Sequence, residues 1–500
     1  MFSQLKSMSV KVQASTSFSK AHKAVVIPVT KDNLNANAWT QVSQETRTRI
    51  SNFLTSDFVS QDREKLSWVQ GVGEEGNTHY LLVQVGAEKD LTKDSVRNAF
   101  GEACKWVSAR GFSSVAFLIG ESSAMLTHAK AAVEGALLSS YRFNNYLGDE
   151  KLGQTLKEMN FYIASEDVAH AVSNSIQDVM TVIDSVFMAR DWSNQPTNVL
   201  GPDLYTKQVQ DLAKQYNLSC TVLDEQELIK RGMNLVIAVG KASVERPRVI
   251  HLEYKPAGAA KTKIALVGKG VMYDTGGLSL KPSASMMGMK MDMSGSACVV
   301  ATILAAAKLQ LPVHIHVVTP VVENAVAGNA TRPGDIVKAK NGKCVEIENT
   351  DAEGRLILAD SLCYAEELGV DYIIDVATLT GACLVALGDE VAAILSSDET
   401  MKNTLLECSK KVGEKFWPLP LEENYKKLLK SPAADLKNVG GRNAGTITAA
   451  LFLKEFVEKA KWAHLDIAGP SDTEKELPIC PKGGTGFSTA TLVEFLRTLA

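Results

Sequence analysis

Three short runs rich in β-branched apolar residues constrain the fold of this chain more than any other feature. They are Ile264–Val267, Val313–Val318 and Tyr372–Val376. Gly268 follows the first run and Pro320 follows the second, as expected where strands end in turns. Runs of this kind are typical of buried parallel strands, whose two faces are both covered by helices. Because patterns with helical spacing lie between the runs, we predict an α/β fold.

The chain divides into two regions of α/β alternation joined by one long helical pattern. Its 500 residues exceed a single domain of ~100–200 residues. Between residues 165 and 190, apolar residues recur every three or four positions, and Ser165 is a suitable N-cap. We predict an N-terminal α/β domain over 24–164, a linker helix over 165–190, and a larger C-terminal α/β/α domain over 191–500 with a mixed, mainly parallel sheet. Residues 1–23, with four lysines and no acidic residue, are predicted to be a disordered tail, with a targeting segment as the alternative.

The charge balance argues against a protein that coats nucleic acid. The chain has 53 basic and 57 acidic residues, which gives a net charge of −4. Domains that bind nucleic acid usually carry an excess of lysine and arginine. We therefore expect no nucleic-acid partner.

Cysteine usage and apolar run length indicate the compartment. The eight cysteines are scattered singly and form no C-x-x-C pair, which argues against a zinc ribbon or a disulfide scaffold and favours a reducing compartment. The longest apolar run, Ala297–Ala307, is shorter than the ~18 residues that a membrane-spanning helix needs. We expect a cytoplasmic location and no membrane association, with organellar targeting by the N-terminal tail as the alternative.

Several short patterns resemble functional motifs but are better explained structurally. The G-x-G-x-x-G sequence Gly71–Gly76 is followed by a strand pattern and contains two glutamates, so it predicts a hairpin turn and not a pyrophosphate loop. His314 and His316 alternate along a strand and share a face, but no third metal ligand lies near them in the sequence, so we predict a structural role. The chain contains neither H-E-x-x-H nor G-x-S-x-G, which argues against a thermolysin-like protease and a serine hydrolase.

Four carboxylates lie in loops near predicted strand ends or helix starts. Asp274 follows the first strand, Asp292 precedes a helical pattern, and Asp351 and Glu353 precede another. In open α/β sheets, ligands bind beyond the carboxyl ends of the strands. Four carboxylates can share a small site only if cations neutralise them, and hard divalent ions with oxygen ligands suit that purpose. The alternative is that these are separate surface acids and that D-x-E-x-R is a helix start with a salt bridge.

Two blocks in this region resemble one known family. The sequence Asn349–Leu356, N-T-D-A-E-G-R-L, resembles the signature of the leucyl aminopeptidases, a family of two-metal exopeptidases. The spacing of Lys269, Asp274, Lys281 and Asp292 is similar to the family's first metal segment. Weaker similarity extends from Arg190 to the segments 440–445 and 464–469, whereas the N-terminal domain matches only in length and α/β character.

The resemblance implies a role for each residue of the two blocks. Asp274 and Glu353 are implied as bridging ligands between two divalent ions. Lys269 and Asp292 would complete the more tightly held ion, and Asp351 would complete the exchangeable one, partly through its backbone carbonyl. The ions are expected to be zinc or manganese, with magnesium and cobalt as alternatives.

The resemblance also implies the remaining parts of an active site. Lys281 would polarise the scissile carbonyl and stabilise the oxyanion, and Arg355 would hold a bicarbonate ion that acts as general base. For Arg355 the alternative is a salt bridge to Glu353 or Asp351. The implied substrate pocket is formed by Met289, Thr378, Leu379, Gly381 and Ala468.

These residues lead to a functional expectation. We expect a metal-dependent aminopeptidase that removes the N-terminal residue, Leu or Met-like, from peptides with a free N-terminus by means of a metal-activated water. The family resemblance implies a homohexamer. The alternative functions are a nucleic-acid-binding hexamer and an inactive scaffold of the same fold.

Overall fold

The computed structural model describes residues 10–19, 21–30, 39–56, 65–120, 122–148 and 156–500. The first nine residues of the predicted N-terminal tail and residue 20 therefore lie outside the described residues. Residues 11–15 of the same segment form an edge strand of the N-terminal sheet, so the prediction of a disordered tail is wrong for them, because strand pairing orders a segment without a strong pattern of its own. Within the described part, the chain forms two main sheets, one of six strands and one of nine. The sheets belong to successive parts of the chain, and together they confirm the predicted mixed α/β fold with a smaller N-terminal and a larger C-terminal domain.

The N-terminal sheet has the strand order β1-β6-β5-β2-β4-β3. Only the β3–β4 pair is antiparallel, and Gly73 in the connection has φ +60°, so Gly71–Gly76 connects a hairpin as predicted. The strands and helices of this part are β1 (Lys11–Ser15), β2 (Ala24–Thr30), α1 (Gln44–Leu54), β3 (Leu66–Gln70), β4 (His79–Gly86), α2 (Lys93–Ala109), β5 (Ser114–Ile119), α3 (Ser123–Thr127), α4 (Ala129–Leu138) and β6 (Glu158–Ile163).

One long helix, α5 (Glu166–Asn194), follows the N-terminal sheet. The Ser165 side chain accepts a hydrogen bond from the Val168 backbone N–H, which caps the helix as expected from the sequence. The helix packs against α4 and β1 and also against helices of the C-terminal part, so it contacts both domains. It extends four residues beyond the predicted end at residue 190.

The larger sheet contains the three predicted strands at its centre. Its strand order is β16-β15-β18-β14-β9-β11-β8-β7, and β10 pairs with β11 beside β9. Five of the neighbouring pairs are parallel and three are antiparallel, so the sheet is mixed and mainly parallel. Its nine strands are β7 (Ser219–Leu223), β8 (Arg248–Tyr254), β9 (Lys263–Gly268), β10 (Gly270–Asp274), β11 (His314–Asn324), β14 (Tyr372–Ala377), β15 (Val391–Ser396), β16 (Lys415–Pro418) and β18 (Lys461–Asp466). Two small sheets accompany it in the described chain, one of β12 (Asp335–Lys338), β13 (Cys344–Ile347) and β17 (Leu436–Lys437), and one of β19 (Asp472–Thr473) and β20 (Gly483–Gly484).

Helices cover both faces of this sheet, and the two large apolar clusters lie between the helices and the strands. The cores are therefore on the sheet faces, and the carboxyl ends of the strands are left for polar loops. The helices are α6 (Pro202–Gln215), α7 (Glu225–Lys230), α8 (Asn234–Gly240), α9 (Ser283–Met286), α10 (Ser294–Lys308), α11 (Gly354–Glu367), α12 (Gly381–Leu387), α13 (Glu399–Val412), α14 (Gly445–Lys454) and α15 (Thr489–Thr498).

Strand β11 is longer than the sequence indicated. Pro320 was expected to end it, but the strand continues through Pro320 to Asn324. On one side, β11 pairs with β9 up to Val318 and with β10 from Val321 onwards. Pro320 thus lies where the parallel neighbour changes, and this break in the ladder accommodates a residue without an N–H.

Among the described residues, one stretch is long and apolar enough to cross a membrane. It covers Ser283–Lys308, and 83% of its most apolar window is buried inside the protein. Helix α10 forms most of this stretch and lies against β9 and β14. Burial between the sheet and helices α5 and α15 explains why this helix is apolar all around its circumference.

Candidate metal centre

The polar residues singled out in the sequence meet at the carboxyl ends of the central strands. Lys269 connects β9 to β10, and Asp274 is the last residue of β10. Asp292 lies just before α10, and Glu353 is the N-cap residue of α11. This is the edge of the sheet where ligands bind in open α/β folds.

Lys269 forms the centre of one half of the site. Its ammonium Nζ lies 2.8 Å from Asp292 Oδ1 and 2.9 Å from Glu353 Oε1, and it donates to the Thr378 carbonyl at 2.9 Å. The Thr378 hydroxyl donates to the same Asp292 oxygen at 2.7 Å. Gly354 allows this packing, because a Cβ built there would lie 2.7 Å from Lys269 Nζ. The side chains of Lys269, Asp292 and Glu353 are all buried, so water cannot solvate their charges. Each charge must therefore be balanced by neighbouring groups of the protein or by bound ions.

Lys281 forms the centre of the other half. Its Nζ lies 2.9 Å from Asp274 Oδ2 and 2.5 Å from Asp351 Oδ1. Asp274 is oriented by two donors to Oδ1, the Gly276 backbone N–H and the Asn324 side-chain amide, each at 2.8 Å. Gly276 has φ +85°, a backbone conformation that favours glycine, and it turns the chain from Asp274 towards Lys281.

Burial makes the carboxylates of this site hard to ionise without additional positive charge. Burial raises the pKa of Asp292 well above its usual range, and the ammonium of Lys269 offsets only part of this effect. Burial, followed by repulsion from Asp274, also raises the pKa of Glu353. Burial alone would lower the pKa of Lys269, but the surrounding carboxylates, Asp292 foremost, raise it above its ordinary value. Four ionised carboxylates carry two more charges than the two ammonium groups can neutralise. Additional cations are therefore required to balance the charge of the site.

The donor set fits divalent ions. One oxygen from each of Asp274, Asp351 and Glu353 lies within 4.8 Å of the others. The second oxygen of Asp292, Oδ2, is buried and has no hydrogen-bond partner among the described residues. Hard cations bind oxygen ligands, and a buried carboxylate oxygen normally has a partner. The unpartnered Oδ2 of Asp292 and the three converging oxygens are therefore suitable ligands for such a cation.

Arg355 is buried next to this site and does not form the alternative salt bridge. Within the described ranges, it makes no ion pair with Glu353 or Asp351; its guanidinium donates to the Asn438 carbonyl at 2.8 Å. Its Nε has no partner among these residues. Burial lowers the pKa of Arg355 to about 10, although the charge of Glu353 raises it, so the side chain remains a cation at neutral pH.

The implied substrate residues lie around the same edge. Thr378 and Leu379 directly follow β14, and Gly381 begins α12. Ala468 follows β18, and Met289 begins a short 3-10 turn packed against β10. Thr378 donates to Asp292 of the metal centre, whereas the backbone N–H groups of Leu379 and Ala468 donate to a different carboxylate, Asp466.

Comparison with known proteins identifies the family. The catalytic-domain model of the cytosol aminopeptidase family matches residues 187–493, and its N-terminal-domain model matches residues 25–150. The chain belongs to the cytosol aminopeptidase family. It is therefore a metal-dependent hydrolase of the aminopeptidase type that acts on peptides, and the nucleic-acid-binding and scaffold alternatives are not favoured.

Relatives of the cytosol aminopeptidase family are similar over nearly the whole chain. The probable cytosol aminopeptidase of Syntrophotalea carbinolica is 40% identical over 445 residues, covering 88% of this chain and 89% of the relative. That of Geobacter sulfurreducens is 38% identical over 479 residues, covering 95% and 96%. Among solved structures, the bottromycin maturation enzyme BotP in complex with Mn is 32% identical with a TM-score of 0.84, covering 96% of this chain and all of that chain.

The structure adds polar residues that sequence reasoning did not select. Asn324 orients Asp274, and Asn438 accepts from Arg355 while donating to the loop before α11. Asp466 accepts the backbone N–H groups of Leu379 and Ala468, at 3.1 and 3.2 Å, and so links the two loops of the implied substrate pocket. Asp466 lies in the segment 464–469, whose family resemblance was the only sequence signal for it.

Proposed function

We propose that this aminopeptidase removes the N-terminal residue, preferably Leu or Met-like, from peptides at a centre that holds two divalent ions. The observation that carries the proposal is the convergence of four buried or half-buried carboxylates on two lysines, with the second oxygen of Asp292 unpartnered in the described chain. Membership of a family that depends on two metal ions per subunit supports it.

We assign the metal ligands from this arrangement. Asp274 and Glu353 would bridge the two ions, because the negative charge of each raises the pKa of both Lys269 and Lys281. Lys269 and Asp292 would complete one ion, and Lys269 would bind only after its ammonium loses a proton, because the ammonium has no lone pair. This ion is the more tightly held because all of its ligands are buried. Asp351, which is a third exposed, would complete the exchangeable ion with its side chain and backbone carbonyl. Zinc and manganese are the proposed ions, with magnesium and cobalt as alternatives, and the Mn complex of BotP supports manganese.

Lys281 is proposed to stabilise the oxyanion. When bound, two divalent ions supply a nucleophilic water at neutral pH and additional positive charge. The side chain of Lys281 is 15% exposed, whereas that of Lys269 is 4% exposed, so Lys281 is the lysine that a substrate carbonyl can reach. Burial alone would lower the pKa of Lys281, but Asp274 and Asp351 raise it, so the donor stays cationic.

Arg355 is proposed to hold a bicarbonate ion that acts as general base. The carboxylates of the site are committed to cations, and a guanidinium cannot accept a proton at neutral pH. An anion bound to Arg355 would supply the missing base. The unpartnered Nε of this cationic, buried side chain supports the assignment, since buried donors require an acceptor.

Substrate recognition is proposed to involve the free α-amine and the pocket of Met289, Thr378, Leu379, Gly381 and Ala468. A neutral α-amine has a lone pair for a metal ion, and an amide nitrogen does not. Purified protein should therefore cleave Leu- and Met-reporter substrates, and acetylation of their amine should abolish cleavage. A chelator should inactivate the protein, and manganese or zinc should restore activity. Equal cleavage of free and acetylated substrates would refute the proposal.

We further propose that the protein assembles as a homohexamer and acts in the cytoplasm. The family resemblance supports the hexamer, and the relatives that carry the name cytosol aminopeptidase support the location. Light scattering of the purified chain tests the assembly, and a stable, fully active monomer would refute it. A targeting role for the N-terminal segment remains a prediction, as do the domain boundaries.

A further inference from the structure

A second cluster of metal-ligating side chains lies far from the active site. His314 and His316 lie on one face near the start of β11, and Glu253 of β8 is the antiparallel partner of His316. The active site lies beyond the other end of β11, where Asn324 contacts Asp274. At about 3.3 Å per strand residue, roughly 25 Å separates His316 from Asn324.

The ligand atoms of this cluster converge. His314 Nε2 lies 2.9 Å from Glu253 Oε1, and His316 Nε2 lies 3.9 Å from the same oxygen. One ligand atom from each of the three residues lies within 4.8 Å of the others. Tetrahedral ligands held about 2.1 Å from one zinc ion are about 3.4 Å apart, so side-chain movements of up to about 1.4 Å between the most distant pair bring all three atoms onto one ion.

His316 has a nitrogen that needs a partner. The side chain is 4% exposed, and its Nε2 has no hydrogen-bond partner among the described residues although it faces the cluster. Its other nitrogen, Nδ1, is 2.9 Å from His251 Nε2, and His251 Nδ1 is 3.2 Å from the Tyr364 hydroxyl. If His316 Nδ1–H donates to His251 and His251 Nδ1–H donates to Tyr364, the lone pair of His316 Nε2 is left free. This is the relay that orients histidine ligands in metal sites.

The protonation states also suit a cation. Burial, with repulsion from His251 and His314, lowers the pKa of His316 to about 3. Burial also lowers the pKa of His251. Burial alone would raise the pKa of Glu253, but hydrogen bonds from His314 and Lys255 lower it below its ordinary value. At neutral pH, His316 is therefore a neutral imidazole and Glu253 is an anion, the forms that bind metal.

We infer that His314, His316 and Glu253 form a zinc site distinct from the active centre, with His251 as a positioning residue. Two imidazoles and one carboxylate are a known zinc donor set, and imidazole favours zinc over magnesium or calcium. His314 and Glu253 are about a fifth exposed, which provides an entry path for the ion and space for a water as fourth ligand. By cross-linking β8 to β11, the ion would stabilise the sheet.

One neighbouring cation competes for the site. Lys255 Nζ lies 3.1 Å from the same Glu253 oxygen. The lysine side chain is 67% exposed, so it can move into solvent when an ion binds. Lys263, beside His314 in the β9–β11 pair, directs its ammonium to the Leu368 carbonyl at 2.8 Å and not to Glu253.

Zinc counting tests the site on the full-length protein. Wild type, His316→Gln and His314→Gln are dialysed to equilibrium against one zinc buffer, and zinc per chain is measured by atomic emission. Each variant should bind one zinc fewer than wild type, whatever number the active centre holds. His170→Gln, an exposed histidine that faces a glutamate on α5, is the matched control and should equal wild type. Equal zinc content in wild type and both cluster variants would overturn the inference.

The second measurement separates a metal site from a folding defect. His251→Phe removes the positioning residue but none of the ligands, and loss of a residue that hydrogen-bonds to a metal ligand weakens metal binding about 10- to 100-fold. Its zinc titration should show one site weakened by this factor while the remaining sites are unchanged. Wild-type affinity at every site in His251→Phe would contradict the relay. Asp274→Ala, which alters only the active centre, should leave the His314–His316 site occupied, so the failure of either site is visible separately.

Discussion

A Cβ atom built on Gly354 would lie 2.7 Å from both Cε and Nζ of Lys269. The first residue of α11 therefore has to be glycine for the lysine ammonium to reach Asp292 and Glu353. Glycine is unfavourable within helices, so its occurrence here reflects the packing of the site. The relation links the signature block of residues 349–356 directly to the loop after β9.

We predict that Gly354→Ala displaces Lys269 and weakens metal binding. The added methyl group overlaps the end of the lysine side chain, so Nζ must leave its position between two carboxylates. Activity should fall by at least 10-fold at limiting metal and recover in part at high metal concentration. Gly258→Ala, where a Cβ would have nothing within 4 Å, is the control. Wild-type metal affinity in Gly354→Ala would show that the lysine position is not required.

We predict that Lys281→Ala retains metal but loses about 100- to 1000-fold in rate, the usual effect of removing one oxyanion donor. Asp274→Ala should instead lose metal, because a bridging carboxylate is removed. Elemental analysis alongside reporter-substrate kinetics distinguishes the two outcomes. A metal-free Lys281→Ala protein would contradict the role assigned to this lysine.

We predict that bicarbonate accelerates the wild-type enzyme and not Arg355→Ala. The buried guanidinium is the proposed binding group, and burial lowers its pKa only to about 10, so it is charged throughout the physiological range. Rates are measured in bicarbonate-free buffer and again with added bicarbonate. Arg355→Lys keeps the charge but not the planar donor pair, and should respond weakly. An equal response in wild type and Arg355→Ala would exclude this residue as the anion site.

We predict a pH-dependent contribution to stability from Asp360 in α11. Its Oδ2 accepts the backbone N–H groups of Leu235 and Val236 at 2.7 and 3.3 Å, and its Oδ1 accepts that of Lys340 at 2.8 Å. Burial raises the pKa of Asp360 to about 7, although these bonds lower it. Between about pH 4 and 7, the folded chain thus holds a proton that the unfolded chain releases, and stability falls as pH rises through this window.

Asp360→Asn should therefore be destabilised most at low pH. The amide places an NH₂ group against a backbone donor, at a cost of about 1–3 kcal/mol for each buried N–H left unsatisfied. Because the amide does not titrate, the difference in melting temperature from wild type should shrink between pH 5 and pH 8. Glu407→Gln on the exposed face of α13 should show no such trend. A difference that grows with pH would refute the raised pKa.

The strands of the larger sheet illustrate how far local patterns determine structure. The runs at 264–267 and 372–376 became β9 and β14 with shifts of one residue, because a buried parallel strand is recognisable from its composition alone. The predicted end of β11 before Pro320 was wrong, because the strand continues where its parallel neighbour changes from β9 to β10. Strand pairing is a tertiary property that the local sequence does not contain.

The sequence by itself determined the α/β class, the family, and the residues Lys269, Asp274, Asp292, Asp351 and Glu353 as one chemical group, because strand composition and motif spacing are local properties of the chain. Only the tertiary structure decided that Lys269 forms ion pairs with Asp292 and Glu353, and that Lys281 forms ion pairs with Asp274 and Asp351. It also placed Glu253 beside His314 and His316, where the sequence offered no third ligand. The physical reason is that charge compensation and metal ligation act through space, and sheet pairing brings together side chains that lie far apart along the chain.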